Sequence, residues 1–252
     1  MVRIKNFIYD NDNIKILEQK GVFTVFQHNM DMSVTPNSAS TSYFMSKTNC
    51  TLKQVAIELQ DNAIRLKPGA MQFITGNVTQ TAGVNGVGDM MGKMFKSKLT
   101  GDAPVKPLYK GTGLVVCEPT YLYPIIENVA EWNGLCCDDG MFICCDDEVK
   151  DEVQMRTNLT SAVAGGEGLF NLKLVGNGQA VLLSRCPREE LYEIELENDC
   201  IKIDGNFAVC WSASLQFSTE RAGNSLMGSA TSGEGLVNVY RGTGKILMAP
   251  TK

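Results

Sequence analysis

A pair of glycines two residues apart occurs three times in similar apolar surroundings, and this repeat constrains the fold more than any other feature. Segments 108–116 (LYKGTGLVV) and 239–247 (VYRGTGKIL) align without a gap at an offset of 131 residues (239 − 108), and segment 172–182 (LKLVGNGQAVL) carries the third pair. Glycine tolerates the positive φ angles of tight corners. We therefore predict a β-hairpin turn at each Gly-x-Gly motif.

A second glycine motif precedes each copy of the first. Segments 139–145 (DGMFICC) and 204–210 (DGNFAVC) align at an offset of 65 residues (204 − 139), and segment 68–73 (PGAMQF) matches them more loosely. Repeats of this length are typical of stacked supersecondary units. The sequence therefore predicts an all-β fold of three tandem pseudo-symmetric modules, with at most one or two short helices. The predicted modules are residues 53–119, 120–187 and 188–252.

Residues 1–52 precede the repeats and are predicted to pack on the core as a hairpin followed by a polar loop. The runs 14–18 (IKILE) and 22–26 (VFTVF) alternate in polarity around Gly21, which predicts two strands and a turn. The segment 35–42 (TPNSASTS) is predicted to be a loop, because it is polar and contains turn-forming residues.

Composition excludes several classes of protein. The 252 residues carry a net charge of −5 and no concentration of Lys and Arg, which argues against a nucleic-acid partner. No apolar run approaches the roughly 20 residues of a membrane-spanning helix, and the first residues do not resemble a signal peptide. The 24 glycines and a charged fraction of 20% suit a turn-rich β protein. We expect a cytoplasmic location.

One segment within the first module has helical rather than strand periodicity. Met90, Met91, Met94 and Phe95 fall on one face of a short helix, with the neighbouring lysines mostly off that face. Such a face could contact a partner or a membrane surface, since methionine adapts to varied apolar surfaces. The alternative, a helix or loop that covers the end of the β core, is the interpretation we favour.

The nine cysteines are expected to be reduced thiols. If the strands on either side of the Asp139-Gly140 turn paired as a hairpin, Cys137 and Cys144 would share one face, and Cys136 and Cys145 the other. Four sulfurs divided in this way cannot close one tetrahedral zinc site. The sequence therefore predicts buried apolar cysteines and no bound metal or other cofactor.

Three other residues are weak candidates for catalysis. His28 is the single histidine, and histidine is the commonest general base, but no patterned serine or cysteine nucleophile lies near it. Glu167 and Glu234 occupy equivalent positions in two modules, and paired carboxylates can perform acid–base chemistry. The first module has Ala103 at that position. We expect structural roles for all three and predict that the chain is not an enzyme.

The chain resembles the altered inheritance of mitochondria protein twenty-four family, of the bacterial type. The resemblance is carried by segments 166–170 (GEGLF), 233–237 (GEGLV) and 242–250 (GTGKILMAP), and it extends over most of the chain. The resemblance implies a fold like that of the tryptophan RNA-binding attenuation protein (TRAP), a short double-stranded β-helix or β-sandwich, here repeated within one chain. It implies no established activity. The mitochondrial location of eukaryotic members is not expected here, because the chain begins without an Arg-rich transit segment. RNA binding is not expected either, because no basic stripe with aromatics is visible.

Three functional hypotheses follow. The first is a non-catalytic scaffold or binding protein that forms a homo-oligomer, with a trimer as one expected size, because exposed strand edges need covering. The second is an RNA or small-ligand binding module, by analogy of fold. The third is a hydrolase that uses Glu167 or Glu234. The first is the favoured prediction.

Overall fold

The computed structural model describes residues 2–81, 106–137, 140–155, 170–221 and 236–251. Within these ranges the chain is built almost wholly from strands, so the predicted all-β fold class is confirmed. The strands are β1 (Ile14–Lys20), β2 (Phe23–His28), β3 (Lys53–Leu66), β4 (Met71–Thr81), β5 (Leu108–Cys117), β6 (Tyr123–Asn128), β7 (Leu135–Cys137), β8 (Phe142–Asp146), β9 (Lys150–Met155), β10 (Phe170–Val175), β11 (Gln179–Ser184), β12 (Tyr192–Asp204), β13 (Ala208–Ser212), β14 (Gln216–Arg221) and β15 (Leu236–Met248).

The strands form two antiparallel sheets. Sheet A has the order β1-β2-β3-β8-β11-β6, with β5 also paired to β3 and β4 paired to β5. Sheet B has the order β12-β15-β13-β7-β10-β9, with β14 also paired to β15. The predicted opening hairpin is confirmed, since β1 and β2 pair around Gly21, which has a φ of +57°.

Sheet A curls until its two end strands meet. The Glu18 carboxylate on β1 accepts the backbone N–H of Ile126 on β6 at 3.1 Å, and the Lys20 ammonium donates to the Ile126 carbonyl at 2.9 Å. The two charged groups lie 2.7 Å apart. Glu18 and Lys20 together therefore give Ile126 the two hydrogen bonds that a neighbouring strand would otherwise supply.

Apolar residues fill three main clusters. One lies inside the curl of sheet A, a second joins sheets A and B, and a third lies against sheet B around an aromatic group. In that group the Trp211 ring centroid is 5.3 Å from that of Phe217 and 5.2 Å from that of Tyr240. These distances are typical of favourable aromatic pairs.

The prediction of a hairpin turn at each Gly-x-Gly motif is wrong. The first and last motifs lie inside the long strands β5 and β15, and the middle one connects β10 in sheet B to β11 in sheet A. At Gly111 in β5, φ is +137° and an added Cβ would overlap the Asn77 carbonyl oxygen. The glycines allow strands to bend and approach closely, which is a second reason for glycine within a sheet.

The prediction of a loop through residues 35–42 is also wrong in part. An α-helix, α1 (Ala39–Lys47), begins within it after Ser38. None of the residues of α1 is buried, so no apolar periodicity marks the helix in the sequence. Two short 3-10 turns within the described ranges, Val129–Trp132 and Arg188–Glu190, connect strands elsewhere.

Candidate functional site

Two short antiparallel pairings, each between strands far apart in the sequence, join successive parts of the chain. We call each of these pairings a junction. At the first junction the end of β3 pairs with β8, and at the second β7 pairs with β13. Each junction contains three paired positions. These are Ile64 opposite Asp146, Arg65 opposite Cys145 and Leu66 opposite Cys144 at the first, and Leu135 opposite Ser212, Cys136 opposite Trp211 and Cys137 opposite Cys210 at the second.

The end of β12 has the same local register as the end of β3. Gly111 of β5 lies opposite Asn62 of β3, the first paired residue after a register shift. Gly242 of β15 lies opposite Asp199 of β12, again the first paired residue after a shift. Two positions along, Ile64 faces Tyr109 and Ile201 faces Tyr240. The segment of β12 that starts at Ile201 therefore corresponds to the segment of β3 that pairs with β8.

The start of β4 corresponds in the same way to β8 and β13. Each of these three strands has a register shift against its central partner, and each shift bypasses one residue: Gln72 in β4, Ile143 in β8 and Val209 in β13. Counting from the bypassed residue, Phe73 is equivalent to Cys144 and Cys210. The start of β4 thus has the geometry of a strand that accepts a junction partner.

Within the described ranges, residues 201–203 of β12 and 73–75 of β4 are paired on one side only. The described pairing of β12 is with β15, and that of β4 is with β5. The end of β12 and the start of β4 therefore resemble the two halves of such a junction, and the described residues do not pair them with each other. We refer to them together as the open edges.

The sequence of β4 does not protect its open edge. Its eleven residues include no charged side chain and no proline. Natural edge strands usually carry charge, proline or a covering element that prevents further pairing. β6, by comparison, has Pro124 near its start and the Glu18 and Lys20 side chains on Ile126. The chemistry of β4 therefore favours the addition of another strand.

His28 lies in a chain of amides rather than beside a nucleophile. The Gln54 amide nitrogen donates to Gln72 and to the Cys117 carbonyl, so the Gln54 oxygen must accept from His28 Nε2, 2.9 Å away. Gln54 is 7% exposed. The structure therefore gives His28 a hydrogen-bonding role between β2 and the ends of β3, β4 and β5.

The two cysteine pairs do not lie on the two strands of one hairpin, so the arrangement of their side chains on shared faces is not formed. β7 and β8 do not form a hairpin, because β7 lies in sheet B and β8 in sheet A. Cys137 shares a cluster with Cys145, whereas Cys136 and Cys144 lie in two others. Burial raises the pKa of Cys136 and of Cys145 to about 12, so these thiols are protonated at neutral pH and poor nucleophiles.

Among the described residues, the most unusual ionisable group is a fully buried lysine, which the sequence analysis did not find. Lys53 is 0% exposed; its ammonium donates to the Thr51 carbonyl at 2.8 Å and lies 3.8 Å from the Tyr123 ring centroid. Burial lowers the pKa of Lys53. A lowered pKa is a property of nucleophilic lysines, but a fully covered amine cannot meet a substrate without rearrangement. The sequence gives no signal for this burial.

A second feature that the sequence analysis did not find is a charged network between β6 and β12. The Glu127 carboxylate accepts the Trp132 indole N–H at 3.1 Å and the Arg188 Nε–H at 2.8 Å. Arg188 also donates to Glu193 at 3.0 Å. The network attaches the segment between β11 and β12, which contains Arg188, to β6, and all four side chains have described partners.

Several predicted site residues lie outside the described ranges. These are Glu167, Glu234, Met90, Met91, Met94 and Phe95. Among the residues that the structure does describe, no group of three or more His, Cys, Asp or Glu is arranged to hold a metal ion. The same residues include no helix long and apolar enough to span a membrane.

Comparison with known proteins supports the family resemblance. Residues 44–251 match the family described as mitochondrial biogenesis AIM24. An uncharacterized protein of Streptococcus pyogenes serotype M6 is 28% identical over 200 residues, which cover 76% of this chain and 79% of that protein. The crystal structure of a Streptococcus pyogenes protein superposes with a TM-score of 0.59 at 25% identity, over 80% of this chain and 89% of that one. The chain therefore belongs to the mitochondrial biogenesis AIM24 family, as a bacterial-type member.

Proposed function

We propose that this protein is a non-catalytic, cytoplasmic scaffold that assembles with copies of itself by joining their open edges. The end of β12 of one copy pairs with the start of β4 of the next. The observation that supports this most directly is the repetition of one junction twice within the chain. A sequence that forms this junction twice internally has the local geometry to form it again between copies.

The two internal junctions supply the register of the third. Transferring the pairing of β3 with β8 places three residues of β12 opposite three residues of β4 in the next copy. The expected pairs are Ile201 opposite Thr75, Lys202 opposite Ile74 and Ile203 opposite Phe73. Ile203 is buried and Lys202 is exposed, so the apolar face of the added strand continues the core while the lysine faces solvent.

The contact joins different surfaces of the two copies, so it is heterologous. Such contacts close into rings when the rotation per copy divides a full turn, and otherwise extend as filaments. We propose a closed ring, with three copies as the expected size. The three-module organisation and the TRAP-like arrangement of modules belong to the same proposal.

The backbone of Lys202 provides a test that leaves the subunit intact. Its equivalent, Arg65, lies between Ala63, whose carbonyl accepts from Asp147, and Lys67, whose N–H donates to Ile143. Since alternate residues of an antiparallel strand bond to opposite sides, the Lys202 N–H faces the open side of β12. Lys202→Pro removes this donor without removing a bond to β15.

Sedimentation velocity at about 10 μM then separates the outcomes. We expect a ring for the wild type, a folded monomer for Lys202→Pro, and a ring for the matched control Glu195→Pro, which lies on the same strand before its bulge. Circular dichroism shows that each variant is folded. A monomeric wild type, or a Lys202→Pro variant that still assembles, would overturn the proposal.

A further inference from the structure

A pocket opens in sheet A where the turn between β3 and β4 approaches β8 and β11. Its volume is about 220 Å³. An apolar cavity of about 150 Å³ can hold benzene, so the pocket has room for an apolar body of about six to ten atoms. Its apolar walls are Val55, Cys117, Pro124, Phe142, Ile143 and Leu183.

The rim of the pocket carries hydrogen-bond donors with spare capacity. The Lys67 ammonium donates to the Gly140 carbonyl at 3.0 Å, which uses one of its three N–H groups. The Thr120 hydroxyl oxygen accepts from the Leu122 N–H at 3.1 Å, so its own hydrogen is free to point elsewhere. Lys67 and Thr120 both line the pocket. A bound molecule would therefore be met by a cation and a hydroxyl donor beside apolar walls.

We propose that this pocket binds a short aliphatic monocarboxylate. The hydrocarbon chain lies against the apolar walls, and the carboxylate accepts from Lys67 and Thr120. Glu118 also lines the pocket, and its negative charge opposes any anion. The single Lys67 ammonium can offset this repulsion for one carboxylate, and a second carboxylate would have no cation. This ligand class combines the three properties that the pocket selects: apolar volume, one anionic acceptor group and no further negative charge.

The probe is hexanoate, compared with hexanol and hexylamine by ligand-observed NMR on the full chain. Hexanoate is expected to bind most tightly. Lys67→Met keeps the apolar stem and removes the charge, and should weaken hexanoate binding by about fivefold while leaving hexanol unchanged. Lys47→Met, on the exposed helix α1, is the matched control and should bind hexanoate as the wild type does.

Filling the pocket provides an independent check. Leu183 is half-buried at the pocket wall, so Leu183→Trp is expected to abolish binding of both hexanoate and hexanol in a protein with native circular dichroism. Lack of hexanoate binding by the folded wild type at about 10 mM would overturn the proposal. Equal binding by Lys67→Met, or hexylamine binding as tightly as hexanoate, would do the same. The assembly state, measured separately by sedimentation, bears only on the scaffold proposal.

Discussion

Replacing Glu127 with leucine tests whether the network between β6 and β12 holds the two sheets together. Glu127 is 8% exposed and accepts from both Trp132 and Arg188. Glu127→Leu leaves the Trp132 N–H, on a residue that is 4% exposed, without its acceptor, which costs about 1–3 kcal/mol. The Arg188 side chain is 34% exposed and keeps its bond to Glu193, so the loss of its ion pair with Glu127 adds only about 1 kcal/mol. The expected decrease in unfolding free energy is therefore about 2–4 kcal/mol.

Urea unfolding, monitored by tryptophan fluorescence, measures this decrease. All variants must be compared at one protein concentration, because assembly would shift the apparent stability. Glu127→Gln keeps an acceptor for Trp132 and should recover about half of the loss. Glu193→Gln removes the exposed end of the network and should cost less than about 1 kcal/mol. A loss below about 1 kcal/mol for Glu127→Leu, or an equal loss for Glu193→Gln, would refute the argument.

Two further predictions concern titratable groups. In the native protein, Ellman's reagent should label Cys50 and Cys200 first, since the other seven of the nine cysteines are buried, and all nine should react in urea; rapid labelling of more than two native thiols would contradict this burial. Burial raises the pKa of Asp151, but the charge and hydrogen bond of Lys106, together with a backbone hydrogen bond and the Arg65 charge, outweigh this effect, so the net pKa lies below the ordinary value of 3.8. The carboxylate therefore contributes stability that is complete above pH 3.8 and is lost as pH falls through the folded pKa. Asp151→Asn should flatten the loss of unfolding free energy between about pH 5 and pH 2, and an unchanged slope would contradict this assignment.

The repeated sequence predicts the strands well because the same local constraints recur. The alternation around Gly21 and the glycines after Pro68 and Asp204 lie at turns in the structure, where φ is positive. The Gly-x-Gly motifs did not mark hairpin turns, because a glycine shows only that the backbone needs unusual conformational freedom at that position. It does not show which strand lies beside it. Gly111 supplies that freedom inside a strand, against Asn77 from β4.

The open edges were harder to predict than the strands. The absence of charge from segment 71–81 is visible in the sequence, but its importance depends on β4 lying at an edge, which is a property of the pairing. The buried Lys53 and the partners of Glu127 likewise depend on contacts between residues far apart in the chain. Sequence periodicity reports which face of an element is apolar, and it does not report which polar group meets another.

Three other equivalent edges of the protein show why the open edges are distinctive. These edges are compared at one position, three residues after the second glycine of each Gly-x-Gly motif. The residues opposite that position are Ala56 of β3, Ile126 of β6 and Glu193 of β12. Ala56 is covered by β2, and Ile126 is bonded by side chains of β1. Glu193 lies on an exposed stretch rich in charged side chains, and its own carboxylate accepts from Arg188. Charged side chains of this kind protect natural edge strands. Each of these edges thus has a different protection, and within the described ranges β4 has none of the three. Selective protection would therefore direct assembly to the junction between β12 and β4.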